Sequence, residues 1–190
     1  MTLAGLRLDQ GSLHGPPLGC IDVIRDRLHV AVSGGGEADE AACRLAEDVG
    51  RELARRGAVV VTGGLGGAME AACRGAKAEG GTTLGILPSH DRADANDWVD
   101  VAVPTGLGEA RNALVVRAAD ALIAVAGEFG TLSEIALALK VGTPVVGLDT
   151  WELARGGRPV EAIVVATTPA EAAERAVTLA RARRLPPTGW

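Results

Sequence analysis

The sequence predicts an α/β protein built on a doubly wound, mainly parallel sheet of Rossmann type with helices on both faces. Short continuous apolar runs, rich in Val, Ile and Leu, alternate with segments whose apolar residues recur at helical spacing. Strands of a parallel sheet are apolar throughout because helices bury both of their faces. Three of the apolar runs end in glycine loops that lead into a helix, and ligands of such sheets bind beyond the carboxyl ends of the strands.

A chain of 190 residues has the length of one domain. Residues 1–27 combine Gly, Pro and isolated apolar residues without a sustained period, and we expect them to form an irregular N-terminal arm. Residues 28–190 carry the alternating pattern. They are therefore expected to form a single Rossmann-type nucleotide-binding domain.

The first part of this domain predicts two strand-and-helix units and a third strand. The strands are predicted at Leu28–Ser33, Ala58–Thr62 and Thr82–Pro88, and the helices at Asp39–Arg56 and Ala68–Glu79. Each helix is followed directly by glycine, at Gly57 and at Gly80, because glycine readily adopts the left-handed conformation that often ends a helix.

The second part of the domain resumes the pattern after a polar loop. Strands are predicted within Trp98–Pro104 and at Asp120–Ala126, Thr143–Leu148 and Ala162–Ala166, and helices at Gly108–Ala118, Thr131–Lys140 and Pro169–Arg184. The last helix ends in an arginine cluster, Arg181–Arg184, which we expect to be exposed to solvent at the negative end of the helix dipole.

Composition argues against several classes of protein. Lys and Arg number 19 against 24 Asp and Glu, so the net charge is −5, and no basic block occurs. With no Tyr and one Phe, the chain also lacks the aromatic clusters of a nucleic-acid binder. No apolar run approaches the roughly 20 residues of a membrane-spanning helix, and no signal stretch begins the chain. We therefore expect a cytoplasmic protein with neither nucleic-acid nor membrane partners.

Cysteine and histidine give no indication of a metal site. The residues concerned are Cys20, Cys43, Cys73, His14, His29 and His90. They are scattered without the spacing of metal ligands, and an odd number of cysteines fits reduced thiols in a cytoplasmic protein. No bound metal is expected at these residues.

The loop after the second predicted strand is the clearest candidate for phosphate binding. Its candidate residues are Gly63, Gly64, Gly66, Gly67 and Met69. Glycines allow backbone N–H groups to approach a phosphate, and the start of the following helix adds partial positive charge. A tight turn with close helix-to-sheet packing is the alternative that needs no ligand.

Two further glycine loops have the same two interpretations. Gly127 and Gly130 precede Thr131, and Gly34–Gly36 follow the first strand. Thr131 and Glu134 also fit a capping box, in which the two side chains satisfy amides at the helix start without any ligand. Spacing alone does not separate this capping role from a functional one.

Arg111 and Asn112 are predicted in the first turn of a helix at the same edge of the sheet. An arginine near a helix N-terminus opposes the helix dipole, and a bound anion would offset this unfavourable interaction. The alternative is an ordinary solvated arginine.

Two segments, GGLGGAMEAACRGA and GEARNALVVRAADALIAVAGEFGTLSEIALAL, together resemble the Lonely Guy superfamily of Rossmann proteins. The resemblance covers about Leu28 to Leu148. Its residue pattern, GxARN followed by GTLSEIALALK, is most similar to the branch that includes molybdenum-cofactor carrier proteins. Members of this superfamily are often labelled lysine decarboxylases in error. That label does not suit this chain, because the reaction needs a Schiff-base lysine and neither Lys77 nor Lys140 is placed for one.

The resemblance implies a nucleotide or nucleotide-like phosphorylated ligand and a homodimer or larger assembly. In the phosphoribohydrolases of the superfamily, an Arg and a Glu that match Arg111 and Glu134 cleave the bond between base and ribose 5'-monophosphate. Gly127, Gly130 and Thr131 match the loop that holds the phosphate. Glu128 stands where those hydrolases have a second glycine, and Asn112 where they have lysine, which puts the hydrolase activity in question.

Two functions follow as hypotheses. The first is a cytosolic binding protein for a phosphorylated nucleotide or nucleotide-like cofactor, with the molybdenum cofactor as the candidate ligand. The alternative is a phosphoribohydrolase that releases free base and ribose 5-phosphate, with Arg111 and Glu134 as its catalytic residues. A Rossmann domain whose loops only form turns is the third interpretation.

Overall fold

The computed structural model describes residues 23–184. The predicted N-terminal arm therefore lies outside the described residues except for residues 23–27, in which Ile24–Asp26 form a single 3-10 turn. The division into arm and domain stays a prediction.

Nine strands and five α-helices occupy the described residues. The strands are β1 (His29–Ser33), β2 (Val59–Thr62), β3 (Thr82–Leu87), β4 (Val101–Pro104), β5 (Ala121–Val125), β6 (Val145–Leu148), β7 (Ala154–Arg155), β8 (Arg158–Pro159) and β9 (Ile163–Ala166). The helices are α1 (Glu40–Arg55), α2 (Ala68–Ala78), α3 (Asn112–Arg117), α4 (Phe129–Val141) and α5 (Pro169–Arg184).

Seven strands form one parallel sheet in the order β4-β3-β2-β1-β5-β6-β9. The order reverses between β1 and β5, which pair with one another although β1 also pairs with β2. In doubly wound sheets, ligands bind in the crevice at this reversal point. The predicted fold class is confirmed. Within residues 23–184, the sequence pattern did not indicate the short antiparallel hairpin of β7 and β8 or the 3-10 turn at Arg92–Asp94.

Successive residues of β1 alternate between two apolar cores, one on each face of the sheet. Val30 and Val32 pack with residues of α1, α2 and α5. Ala31, between them, packs with residues of α3 and α4. Each face is therefore covered by helices, as the continuous apolar strands predict.

Two glycines bring α1 and α2 into backbone contact. A Cβ on Gly50 would lie 2.0 Å from the carbonyl oxygen of Ala72, and one on Gly75 would lie 1.9 Å from that of Glu47. No side chain fits at either position. This contact fixes the start of α2, and with it the loop after β2, beside the carboxyl edge of the sheet.

Two predicted helices differ from the observed ones at their starts. The helix predicted from Gly108 to Ala118 is a 3-10 turn over Gly108–Arg111 followed by the short α3. The chain here is tied to the segment after β3, since Gly108 N donates to Pro88 O at 3.0 Å. The helix predicted from Thr131 begins two residues earlier, at Phe129.

The arginine cluster at the end of α5 is not simply a solvated helix end. Arg183 Nη1 donates to the carbonyl oxygen of Ala119, and Arg184 pairs with the carboxylate of Asp120 at 2.7 Å. These contacts hold α5 against the start of β5. Within residues 23–184, no helix is long and apolar enough to cross a membrane.

Candidate functional site

A cavity of about 330 Å³ opens at the carboxyl edge of the sheet, beside the reversal point between β1 and β5. Loops that follow β1, β2, β3 and β5 form its walls together with the starts of α3 and α4. Its lining residues are Gly34, Gly35, Gly36, Leu65, Met69, Pro88, Glu109, Arg111, Asn112, Glu128, Gly130, Thr131 and Glu134.

A buried ion pair lies at the base of this cavity. Arg111 Nη1 is 3.7 Å from Glu134 Oε1, and both side chains are only 9% exposed. Ser33, at the end of β1, donates its hydroxyl to the other carboxylate oxygen of Glu134. Three separate elements, β1, α3 with its preceding turn, and α4, therefore meet at this pair.

Burial controls the protonation of the pair. It raises the pKa of Glu134 above the ordinary value of 4.5, while the Ser33 hydroxyl and the Arg111 charge act in the opposite direction. Burial also lowers the pKa of Arg111, against the attraction of Glu134 and Glu109. An arginine nevertheless keeps its charge at neutral pH.

The guanidinium of Arg111 is only partly satisfied by the protein. Its Nη1 donates to Asn112 Oδ1 at 2.9 Å, and its buried Nε has no hydrogen-bond partner among the described residues. Buried donors without a partner are rare, which makes Arg111 a candidate contact for a ligand. The capacity of Arg111 to donate further hydrogen bonds into the cavity suits an anionic oxygen group.

Gly63 provides the space for this guanidinium. A Cβ at Gly63 would lie 2.4 Å from Arg111 Nη2 and 2.6 Å from Met69 Sδ. Gly63 does not line the cavity itself. Gly63 therefore leaves room for the Arg111 side chain, and its contact with a ligand stays a prediction.

The start of α4 presents free amides at the cavity. Its first intrahelical bond runs from Leu132 N to Glu128 O, so the amides of residues 129–131 precede any intrahelical partner. The positive end of the helix dipole lies at the same place. The capping-box alternative is wrong, because α4 has no side-chain cap and Glu134 accepts from Ser33 instead.

The start of α2 does not face the cavity in the same way. Ala68 N, at its first residue, donates to Gly35 O at 3.0 Å. A Cβ at Gly67 would lie 2.4 Å from Gly35 O, so glycine is required there for the two loops to approach each other. Gly64 N donates to Thr62 Oγ1, within its own loop. These contacts match the tight-turn alternative for this loop.

The predicted site residues divide into two groups. Those that line the cavity are Gly34, Gly35, Gly36, Met69, Arg111, Asn112, Gly130, Thr131 and Glu134. Those that do not are Gly63, Gly64, Gly66, Gly67 and Gly127. A Cβ at Gly127 would collide with the Thr131 side chain at 2.4 Å, so Gly127 allows Thr131 its place at the start of α4.

Four lining residues lie outside the sequence prediction: Leu65, Pro88, Glu109 and Glu128. Leu65 and Glu128 lie inside glycine loops that the sequence indicated, so the loops themselves were the available signal. Pro88 lies in no motif, and Glu109 lies in the quoted GEARN segment at a position that was not selected. They meet because the chain after β3 binds the turn before α3.

The cavity combines one cation with three carboxylates, Arg111 against Glu109, Glu128 and Glu134. Glycine amides and the α4 start add donors on the side of β1 and β5. Among the described residues, no group of three or more His, Cys, Asp or Glu is arranged to hold a metal ion. The arrangement suits a ligand with an anionic group at one end and hydrogen-bond donors elsewhere.

Comparison with known proteins gives matches over most of the chain. The model of the SLOG cluster4 family matches residues 27–179. An uncharacterized protein of Archaeoglobus fulgidus is 44% identical over 134 residues, which cover 70% of this chain and 88% of that protein.

Two solved structures are similar across nearly their whole length. The molybdenum cofactor binding protein of Rippkaea orientalis is 34% identical with a TM-score of 0.72, covering 80% of this chain and 97% of that one. The molybdenum cofactor carrier protein of Chlamydomonas reinhardtii is 34% identical with the same TM-score, covering 80% of this chain and 98% of that one.

Proposed function

This chain belongs to the SLOG cluster4 family, and on that basis we propose that it binds a phosphorylated pterin-type cofactor and acts as a molybdenum-cofactor carrier. The observation that carries the proposal is the cavity beside the β1–β5 reversal, with an unsatisfied buried arginine and a free helix start. Similarity to carrier proteins over 80% of this chain supports the choice of ligand.

In this proposal, the phosphorylated end of the cofactor lies on Gly34–Gly36 and on Gly130 and Thr131 at the start of α4. Backbone amides at these positions donate to phosphate oxygens, and the helix dipole favours their charge. Arg111 donates from the side of β2. The protein positions the ligand with neutral amides and one guanidinium, which suits reversible carriage of a labile molecule.

The test is retention of the cofactor by protein purified natively from cells that make it. We expect wild-type protein to release a pterin on acid treatment, detected by fluorescence and by native mass spectrometry. Gly63→Ala should reduce retention at least about tenfold, because its methyl group displaces the Arg111 guanidinium and removes a charge-assisted hydrogen bond.

The matched control is Gly66→Ala in the same loop. A Cβ at Gly66 meets only Gly36 O, at 3.8 Å, so the variant should retain the cofactor like wild type. Wild-type protein that carries no pterin, and binds none when mixed with the isolated cofactor, contradicts the carrier function.

A second candidate function is supported by the buried pair of Arg111 and Glu134. A phosphoribohydrolase needs a carboxylate beside the bond between base and sugar and a cation for the phosphorylated sugar. Ser33 holds the Glu134 carboxylate in a fixed orientation. Chromatography of AMP incubated with wild type and with Glu134→Gln tests it, since base release that persists in the variant excludes this carboxylate from the reaction.

The cytoplasmic location and the homodimeric or larger assembly are parts of the same proposal. They rest on the family resemblance and on the similarity to carrier proteins. Light scattering of the purified protein gives the assembly directly, and a monomer at micromolar concentration would contradict it.

A further inference from the structure

The cavity has two chemically different ends along the edge of the sheet. Loops after β5 and β1 form one end, and loops after β2 and β3 form the other. Neighbouring strands lie about 4.8 Å apart, so the distance from β5 to β3 across β1 and β2 is about 14 Å. This length accommodates a heterocycle and a phosphate group side by side.

We call the β5–β1 side the phosphate end, formed by Gly34–Gly36, Gly130 and Thr131. It has backbone amides and the free start of α4. We call the β2–β3 side the ring end, formed by Leu65, Pro88 and Glu109. It has two apolar side chains and one carboxylate, with Met69 between the two ends.

The ring end is held in place by bonds to its backbone. Asn96 Nδ2 donates to the carbonyl oxygens of Gly64 and Leu65, at 3.1 and 2.9 Å. Gly108 N donates to Pro88 O, which ties the turn that carries Glu109 to the end of β3. Asn96 therefore holds the loop that carries Leu65, and Pro88 holds the turn that carries Glu109.

Within the described part of the chain, Glu109 acts only through its charge, which attracts the Arg111 guanidinium. Among the described residues, its carboxylate takes part in no hydrogen bond or ion pair, although it lines the cavity two residues from Arg111. Arg111 is nine-tenths buried, and its Nε has no partner. A buried arginine whose Nε lacks a hydrogen-bond partner and a carboxylate that accepts no hydrogen bond from the described residues line one cavity, and we expect a ligand that contacts both.

An ionised carboxylate only accepts hydrogen bonds, through two oxygens side by side. Its complement is a pair of adjacent N–H donors. A 2-amino-4-oxo ring, as in pterin and guanine, offers this pair in its ring N–H and its 2-amino group. Adenine presents a donor beside an acceptor, which repels one carboxylate oxygen.

Building on the carrier function, we propose that Glu109 is a specificity residue that recognises the paired N–H donors of a 2-amino-4-oxo heterocycle at the ring end. Leu65, Met69 and Pro88 contact the faces of the ring, which needs no aromatic partner. The phosphate of the same ligand lies at the opposite end, away from the Glu109 charge.

Glu128 provides the matched control. It also lines the cavity and has no ion-pair partner within residues 23–184, but it immediately precedes α4 at the phosphate end. There it opposes a bound phosphate through like charge and does not contact the ring. The two glutamates therefore have separable effects, one on ring selectivity and one on phosphate affinity.

The experiment is calorimetric titration of wild type, Glu109→Gln and Glu128→Gln with GMP, IMP and AMP. GMP and IMP differ only by the 2-amino group. We expect wild type to bind GMP about fivefold more tightly than IMP, and IMP more tightly than AMP, because losing a hydrogen bond to a charged acceptor costs affinity.

Glu109→Gln should bring the GMP-to-IMP ratio close to one, since a glutamine amide offers one acceptor and one donor. Glu128→Gln should instead raise the affinity for all three nucleotides by about threefold and keep their ratios. Both side chains are exposed at the cavity mouth, so the variants fold, and thermal unfolding checks this.

Wild type that fails to prefer GMP over IMP, or a preference that survives Glu109→Gln, overturns this inference. Either result leaves the carrier function standing if natively purified protein still carries the pterin. Absence of the pterin from native protein, with no binding of the isolated cofactor, removes the carrier function as well.

Discussion

Glu134 is the most deeply buried carboxylate of the cavity that also forms an ion pair and a hydrogen bond there. It lies 9% exposed between a hydroxyl from β1 and a guanidinium from the turn before α3. Burial of a carboxylate favours its protonated form, whereas both neighbours favour the charged form. Burial has the larger effect, and the pKa of Glu134 lies above its ordinary value.

This raised pKa predicts how stability depends on pH. Between the unfolded pKa, near 4.5, and the higher folded pKa, the native state binds more protons than the unfolded state. The contribution of Glu134 to stability is therefore full at low pH and is lost as pH rises through the folded pKa. Relative to Glu134→Gln, the free energy of unfolding of wild type should fall by up to about 1.4 kcal/mol per pH unit across this window.

Urea denaturation of both proteins at a series of pH values measures this difference. Ser33→Ala is the matched variant, because it keeps Glu134 and removes the hydroxyl that lowers its pKa. In that variant the fall in stability should begin at the same pH and extend to higher pH, because only the folded pKa rises. A difference that grows with pH would show that the folded pKa of Glu134 lies below the unfolded one.

The sequence identified Arg111 and Glu134 as candidates but not how they are arranged. They were selected because they match the Arg and Glu of the phosphoribohydrolases and because both are predicted at the same edge of the sheet. The contact of Glu134 with Ser33 joins residues 101 positions apart in the chain, and no local pattern reports such a contact. For the same reason, the spacing of Thr131 and Glu134 fitted a capping box as well as it fitted a functional site.

Helices α1 and α2 pack more closely than side chains would allow. Each places a glycine against the backbone of the other, at Gly50 and Gly75. Packing of this kind leaves no flexible atom that could move to accept a methyl group. The position of α2, and of the cavity loop before it, depends on this contact.

Gly75→Ala should therefore destabilise the protein by at least about 3 kcal/mol, because its Cβ would lie 1.9 Å from Glu47 O and the helices must separate. The measurement is the free energy of unfolding by chemical denaturation. The matched control is Gly130→Ala in α4, where nothing lies within 4 Å of the new Cβ.

In this control, alanine should stabilise the protein by about 0.5 kcal/mol, since it reduces the backbone entropy lost on folding. Opposite signs for the same substitution in two helices would locate the effect in the α1–α2 contact. A Gly75→Ala variant as stable as wild type would show that the helices can separate without loss.

The existence and type of most elements could be predicted, since strands and helices differ in the period of their apolar residues. The residues at which α3 and α4 begin were harder to predict from the sequence. The turn before α3 is held by Pro88 O, which belongs to another part of the chain. The hairpin of β7 and β8 has only two residues in each strand, too few for a periodic pattern.

Across the molecule as a whole, Asp120 connects three distant parts of the chain. Its carboxylate accepts from His29 N at 2.8 Å, at the start of β1. It also pairs with Arg184, the last residue of α5, at 2.7 Å. Arg184 in turn donates to Arg27 O. The amino edge of the sheet is thus closed by charged hydrogen bonds, at the side opposite to the cavity.

Arg184 and Asp120 should contribute differently to the free energy of unfolding. Arg184→Ala should cost about 1 kcal/mol, because the side chain is 35% exposed and water replaces it easily. Asp120→Ala should cost about 2–3 kcal/mol, because it also leaves the His29 amide without its acceptor.

A double-mutant cycle on thermal or chemical unfolding separates the pair from the amide contact. We expect Arg184→Ala to cost less once Asp120 is replaced, and the cost that remains comes from its bonds to the carbonyl oxygens of Asp26 and Arg27. Equal costs for the two single variants would indicate that the amide contact contributes nothing.

The sequence alone determined the fold class, the order of the main elements and the edge of the sheet at which the candidate site lies, because these follow from apolar periodicity and from the rule that parallel strands present their carboxyl ends together. Only the tertiary structure decided which glycines face the cavity and which serve packing, and that Glu109 and Pro88 belong to it. Glycine motifs look alike whether an amide faces a ligand or a carbonyl group from another loop. Which of these it faces depends on contacts between residues far apart in the chain, and local sequence does not encode such contacts.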